Sequence, residues 1–183
     1  RHGSFLCRVF ENRLDNKQHV ALSVGDVRTP DAVLVRLHSE CLTGDVLGSM
    51  RCDCGAQLAT AMARLQGEGR GVLLYLRQEG RGIGLAAKIA AYALQDQGRD
   101  TVEANLELGF EADQRDFTIG AQMLAAIGVR KVRLMTNNPR KISELGNYGV
   151  VVDSREPIEV DPSDANRSYL ATKKAKLGHL LDK

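Results

Sequence analysis

The sequence predicts an α/β (α+β-like) fold, a single domain in which a mixed β-sheet is flanked by helices. Three observations carry that prediction. Short runs rich in Val, Leu and Ile recur along the chain, each bounded by Gly, Asp or Asn. Helix-length runs lie between several of them. The first two strand-like runs also stand close together, which asks for an antiparallel portion in the sheet.

Taken in order, His19–Val24 and Val33–His38 read as strands. Gln57–Leu65 puts Leu58, Met62 and Leu65 on one helical face. Gly71–Arg77 reads as a buried strand. Leu85–Gln97 is an Ala-rich helix closed by Gly98, and Phe117–Ile127 is closed by Gly128 in the same way. Asp116 is a natural N-cap for the second of these. Lys131–Thr136 is a strand, after which Asn138 suits an N-cap and Pro139 the first helical position. Gly149–Val152 is the last strand. From about Asp161 the chain turns polar and Lys-rich, and 161–183 is expected to be a helical tail. There is no internal repeat or Pro/Gly/Ser linker.

Composition narrows the function classes. With 183 residues, 43% of them hydrophobic, the chain can bury a core without disulfide support. A net charge of +2 and 4% aromatic residues argue against nucleic acid, whose binding proteins carry basic patches and stacking platforms. No apolar run approaches the roughly 18 residues of a membrane span. No secretory signal is visible in a sequence that begins at Arg1 without Met.

Of four cysteines, Cys7 stands apart and is expected to be a small buried apolar residue. Cys41, Cys52 and Cys54 cluster at C-x10-C-x-C spacing, which in a chain of this size reads as a reduced, cytoplasmic metal site. Thiolates are soft ligands suited to zinc, and three of them leave a fourth tetrahedral position for water, as catalytic sites do. His38 could instead close the site as a fourth, structural ligand. Three thiolates around a dication leave a net charge of −1, so nearby cations should matter to its Lewis acidity.

Two segments are candidate anion sites. Gly71–Arg77 runs into Gln78-Glu79-Gly80-Arg81-Gly82-Ile83-Gly84 and then a helix. Such a loop aims backbone N–H groups and a helix N-terminus at an anion, and Arg81 adds a cation suited to phosphate. The alternative is a tight turn that only needs glycine. In Thr136-Asn137-Asn138-Pro139-Arg140-Lys141, two cations fall in a first helical turn, where the helix dipole disfavours them. They are either phosphate ligands or solvated surface charges. Asp113 and Arg115 remain as candidate acid/base and charge-stabilising groups.

Together these motifs resemble GTP cyclohydrolase II. The matching stretches are Arg36-Leu37-His38-Ser39-Glu40-Cys41-Leu42-Thr43-Gly44-Asp45, Arg51-Cys52-Asp53-Cys54-Gly55, Arg77 through Leu85, Tyr92-Ala93-Leu94-Gln95-Asp96, Thr101-Val102-Glu103-Ala104-Asn105 and Thr136-Asn137-Asn138-Pro139. No single one is specific, but the set is. The resemblance implies removal of C8 of guanine as formate, with release of pyrophosphate, at the entry to riboflavin synthesis. It implies one zinc per chain on Cys41, Cys52 and Cys54, activating water for attack at C8, with His38 not a ligand. It places GTP against Arg36, Leu37, His38, Ser39, Glu40, Gln57, Glu79, Gly80, Arg81, Thr101, Thr136 and Lys141, with Mg²⁺ on the triphosphate. It assigns Asp113 as proton acceptor, Arg115 as nucleophile at the α-phosphorus, and Tyr92 to a position near the guanine ring. A guanidinium has no lone pair to offer while protonated, so charge stabilisation is the easier role for Arg115. The resemblance further implies a homodimer. It leaves open a natural chain in which a 3,4-dihydroxy-2-butanone 4-phosphate synthase domain precedes residues 1–183. The rival readings are a relative that stops at a formylated intermediate and a zinc-stabilised nucleic-acid-binding module.

Overall fold

The computed structural model describes residues 2–13 and 16–181. A six-stranded mixed sheet is its framework, in the order β1-β2-β4-β3-β5-β6. The strands are β1 (Leu6–Asn12), β2 (Lys17–Val24), β3 (Val33–Ser39), β4 (Gly71–Leu76), β5 (Lys131–Met135) and β6 (Val151–Glu156). β2 runs antiparallel to both β1 and β4, whereas β3 runs parallel to β5 and β5 to β6. The expected α/β fold with a mixed sheet is therefore present. Its antiparallel portion is β1-β2-β4; the runs at β2 and β3, close together in sequence, do not pair, because β4 lies between them in the sheet.

The helices are α1 (Leu42–Asp45), α2 (Cys54–Glu68), α3 (Leu85–Asp96), α4 (Thr101–Glu107), α5 (Thr118–Ile127), α6 (Pro139–Asn147) and α7 (Arg167–Leu177). β3 and β4 are buried at nearly every position because both their faces are covered. With a period of two, Val33, Val35, Leu37, Val72, Leu74 and Leu76 pack with Phe117, Ala121 and Leu124 at α5. Leu34, Leu73 and Met135 pack with Ala61 and Leu65 of α2. Burying each large aliphatic side chain is worth about 1.5–3 kcal/mol, so these two clusters fix which residues of β3 and β4 face which helix. Among the described residues no helix is long and apolar enough to cross a membrane.

The chain gathers into two compact units, each assembled from separated stretches. The first takes the sequence up to His38, then Gln57–Arg77 and Asp116–Glu159, and holds the sheet with α5 and α6. The second takes Ser39–Ala56, Gln78–Arg115 and the sequence from Val160, and holds α1, α3, α4 and α7.

Helix ends follow the chemistry of their residues. After α3, Arg99 N–H bonds to Leu94 O at 3.2 Å and Gly98 N–H to Gln95 O at 3.0 Å. Gly98 turns the chain there at φ +95°. Asn138 caps α6 by accepting from Arg140 N–H at 3.0 Å, with Pro139 at the first position. Asp116 accepts from Thr118 N–H at 2.7 Å, but Phe117 occupies the capping position, one residue nearer the helix.

Two elements have no counterpart in the sequence reading, and one residue expectation is corrected. β1 was not anticipated. It is an edge strand with most of its side chains in solvent, so it lacks the apolar run that marks the others. Cys7, expected to be buried, lies on β1 and is exposed. α4 was also missed, although Asp100 and Glu103 form a capping box at its start.

Candidate metal centre and active-site residues

Cys41 precedes α1, Cys52 follows the loop out of α1, and Cys54 opens α2. Their sulfur atoms all lie within 4.8 Å of one another, and Cys41 Sγ is 3.6 Å from Cys52 Sγ. Thiolates held about 2.3 Å from a tetrahedral zinc stand about 3.8 Å apart, so the spacing fits that ion. Among the described residues these three form the group able to hold a metal, and His38 is not part of it. Two glycines make the cluster possible. A Cβ on Gly44 would stand 2.8 Å from Cys52 Sγ and 3.2 Å from Cys41 Sγ, and one on Gly55 would meet Gly44 O at 2.3 Å.

The electrostatics single out Cys41. Hydrogen bonds from Cys52 and Cys54, then the Lys88 ammonium, hold its thiol far below the ordinary thiol range, against burial. Cys52 is pushed up to about 11, chiefly by its hydrogen bond to Cys41. Cys54 is raised as well, by Cys41 and then Cys52. Negative charge therefore concentrates on Cys41, and a dication is what would draw the remaining protons off.

Lys88 of α3 supplies the cation that three thiolates call for. Its Nζ donates to Cys41 Sγ at 3.1 Å, Thr43 Oγ1 at 2.9 Å and Glu79 Oε1 at 2.8 Å. Burial opposes its charge, but the bonds to Glu79 and Cys41 outweigh burial and raise its pKa above the usual lysine value. Glu79 in turn accepts from Leu42 N–H at 2.6 Å and Gly80 N–H at 2.8 Å. This carboxylate thus ties the glycine-rich loop to the residue after Cys41. Tyr92, one turn along α3, has its hydroxyl 3.4 Å from Thr43 Oγ1. Its ring faces Arg51 Cζ at 5.1 Å and Lys88 Nζ at 5.7 Å, and burial raises its phenol pKa.

The glycine-rich loop folds as a short 3₁₀ turn, Glu79–Gly82, ahead of α3. Gly80 at φ +63° and Arg81 at φ +61° both lie in the left-handed region, an uncommon place for arginine. Both terminal nitrogens of Arg81 are buried without a hydrogen-bond partner. Arg81 O accepts from Gln114 N–H at 3.0 Å, which joins this loop to the segment holding Asp113 and Arg115. There Arg115 grips Asp113 at two points, Nε to Oδ1 at 2.8 Å and Nη2 to Oδ2 at 2.6 Å. Burial works against the Arg115 charge, but Asp113 outweighs it and raises the guanidinium pKa further. Thr101 opens α4 behind the Asp100 cap, and Ser39 and Glu40 are half-buried ahead of Cys41.

The first unit holds the other candidates. Arg36 of β3 donates to Met135 O at 2.9 Å and to Gln57 Oε1 at 2.5 Å. His38 stacks on Tyr75 at 5.5 Å. Leu37 is fully buried, and its carbonyl accepts from Lys141 Nζ at 2.7 Å. Lys141 is thus a buried cation, 5% exposed, and not a solvated one. Arg140 pairs with Glu144 at 2.7 Å. Thr136 is buried, its Oγ1 accepting from Asn138 N–H at 3.0 Å. Sequence reasoning passed over Gly44, Gly55, Lys88 and the anchoring role of Glu79. For Lys88 no local signal existed, since an Ala-rich helix gives no hint of which lysine turns inward.

A family profile described as GTP cyclohydrolase II matches residues 1–157. Riboflavin biosynthesis protein RibBA of Bacillus mycoides (strain KBAB4) is 57% identical over 180 residues, covering 98% of this chain and 45% of that protein. RibBA of Bacillus cytotoxicus matches to the same extent. RibBA of Chlorobium phaeovibrioides is 55% identical over 180 residues, 98% of this chain and 44% of its own length. The chain therefore spans somewhat less than half the length of the curated relatives it matches.

Proposed function

The chain belongs to the GTP cyclohydrolase II family, and we propose that it opens the guanine ring of GTP as a zinc-dependent hydrolase at the first step of riboflavin biosynthesis. Formate and pyrophosphate leave, and the product is 2,5-diamino-6-ribosylamino-4(3H)-pyrimidinone 5′-phosphate. The observation that carries this reading is the cluster of Cys41, Cys52 and Cys54, its sulfurs mutually within 4.8 Å beside the Lys88 ammonium. Cys41, Cys52 and Cys54 would hold one zinc. When bound, zinc supplies a Lewis acid that activates water near neutral pH.

The chain's own residues divide the remaining work. Lys88 offsets the surplus negative charge at Cys41. Tyr92, whose phenol holds its proton, donates a hydrogen bond beside the guanine ring. Arg115 remains a guanidinium and stabilises charge at the α-phosphorus instead of attacking it. Asp113, which accepts hydrogen bonds from Arg115 at both oxygens, accepts a proton. Arg81 brings two buried donors without partners, which phosphate oxygens would complete. Glu79 and Gly80 position that loop, and Thr101, Ser39 and Glu40 contribute to GTP binding with it. Arg36, Leu37, His38, Gln57, Thr136 and Lys141 of the first unit take the GTP-binding roles the family resemblance gives them. Mg²⁺ accompanies the triphosphate. The functional form is a homodimer in the cytoplasm, with neither nucleic acid nor membrane as partner.

The test is incubation with GTP, Mg²⁺ and zinc, with formate and pyrophosphate timed separately. Both should appear. Pyrophosphate and a formylated nucleotide without free formate would replace the reading with a relative that stops at a formylated intermediate. Cys54→Ser should abolish formate while leaving slow cleavage to GMP and pyrophosphate, because a serine hydroxyl is a poor zinc ligand at neutral pH. Formate at the wild-type rate from the folded variant would refute zinc chemistry at C8.

A further inference from the structure

The Lys-rich C-terminal segment lies beyond the stretch matched by the family profile, and nothing above gives it a task. It forms α7, and α7 reaches directly into the cysteine loop. Lys173 Nζ bonds to Asp53 Oδ1 at 2.8 Å. Asp53 is the residue between Cys52 and Cys54, and its side chain is 3% exposed; that of Lys173 is 11% exposed. A buried ion pair is weak as a general stabiliser, because desolvation offsets its attraction. Its geometric effect is strong, since removal of either partner strands the other charge out of water. Here the pair fixes the middle of a C-x-C step whose two flanking sulfurs must converge on one point.

A second contact lies one turn earlier on α7. Tyr169 has Lys173 Nζ 4.8 Å from its ring centroid and Arg81 Cζ 5.9 Å from it. Tyr169 thus stands between the lysine that holds the cysteine loop and the arginine of the glycine-rich loop. A third contact ties α7 to the start of α4, where Lys176 pairs with Asp100 and, at 2.9 Å, with Glu103. Three separate segments that carry candidate site residues are joined by one helix.

We infer that Lys173 is a positioning residue for the metal, acting through Asp53 to hold Cys52 and Cys54 in ligating geometry, so that α7 is part of the site. The inference rests on the zinc reading of the thiols, and its effect is on metal affinity before any effect on turnover. Outer partners that orient metal ligands typically contribute about 10–100-fold in affinity.

The experiment measures zinc affinity of the full chain by competition with a chromogenic chelator, alongside thermal melting of the zinc-loaded and zinc-stripped protein. Lys173→Met should bind zinc about 10–100-fold more weakly. Lys173→Arg should recover most of the affinity, because the charge and a donor return. Lys174→Met, at an exposed lysine next along α7, should bind zinc as wild type does. A purely structural role would lower the melting temperature of stripped and loaded protein equally. The positioning role predicts a larger loss in the loaded protein. Should Lys173→Met fail to fold, the double variant Asp53→Asn/Lys173→Met, which strands no charge, carries the same test and the same expected direction. Wild-type zinc affinity in the folded single or double variant would overturn the inference. Because the readout is zinc, it stands apart from the GTP assay. A wild-type chain that binds zinc but releases no formate would sink the proposed reaction and leave the role of Lys173 to be judged on its own result.

Discussion

Lys88 Nζ sits 3.1 Å from Cys41 Sγ and 2.8 Å from Glu79 Oε1, so one ammonium serves a thiolate and a carboxylate at once. An N–H···S bond draws electron density from the sulfur and so leaves a bound zinc more electrophilic. Lys88→Met should therefore lower formate release, by about 10–100-fold. It should also destabilise the fold, by up to about 3–5 kcal/mol, because Glu79 loses the cation that matches its buried charge. Steady-state formate assays and melting curves check both. Full turnover in Lys88→Met would mean that the thiolates need no compensating cation.

Arg81 and Lys141 should behave differently although both are assigned to GTP. Arg81→Ala removes donors that have no partner, so it should weaken GTP binding more than GMP binding with little change in melting temperature. Lys141→Ala also strips the Leu37 carbonyl of a buried donor, which costs about 1–3 kcal/mol. Nucleotide titrations and melting curves on the two variants separate these effects. Equal destabilisation would show that Arg81 holds structure as Lys141 does.

Gly44→Ala tests whether the thiols need the space that glycine leaves. The new Cβ would stand 2.8 Å from Cys52 Sγ. Overpacking of this kind costs about 1–3 kcal/mol, and here it should push the sulfurs apart. Metal analysis should find well below one zinc per chain while circular dichroism keeps its wild-type shape. A full zinc complement would show that the loop yields more easily than the sulfur spacing implies.

Acid should loosen the start of α4. Burial opposes ionisation of Asp100, but the bonds from Lys176, Glu103 N–H and Val102 N–H outweigh it and hold the pKa below the usual 3.8. A folded-state pKa below the unfolded one gives stability that is present above about pH 4 and lost as pH falls through the lowered value. Hydrogen exchange at residues 101–107 should accelerate over that acidic window. Asp100→Asn should exchange faster at neutral pH and show a flatter acid response. An acid response unchanged by the substitution would place the titrating group elsewhere.

The fold was readable where burial is two-sided. β4 and the start of β3, Val33–Val35, read as unbroken apolar runs because helices cover both their faces, and α3 and α5 announce their ends with Gly98 and Gly128. β1 was not readable, since an edge strand held by backbone pairing needs little from its side chains. Strand order was not readable either, because nothing local in Val33–His38 says that its neighbours come from Gly71–Leu76 and Lys131–Met135. At the site, C-x10-C-x-C announced the thiols because metal ligands demand particular atoms. Their supports did not announce themselves. Lys88, Glu79 and Lys173 act through contacts distant in sequence, and each looks locally like an ordinary charged residue on a helix or turn.

Asp53 and Lys173 are 120 residues apart, which has a consequence for synthesis. Ribosomes add roughly 5–20 residues per second, so at those rates about 6–24 s separate translation of the cysteine loop from that of the lysine that anchors it. If Lys173 positions the cysteine loop, a nascent chain stalled before α7 should carry the three cysteines without the contact that aims them.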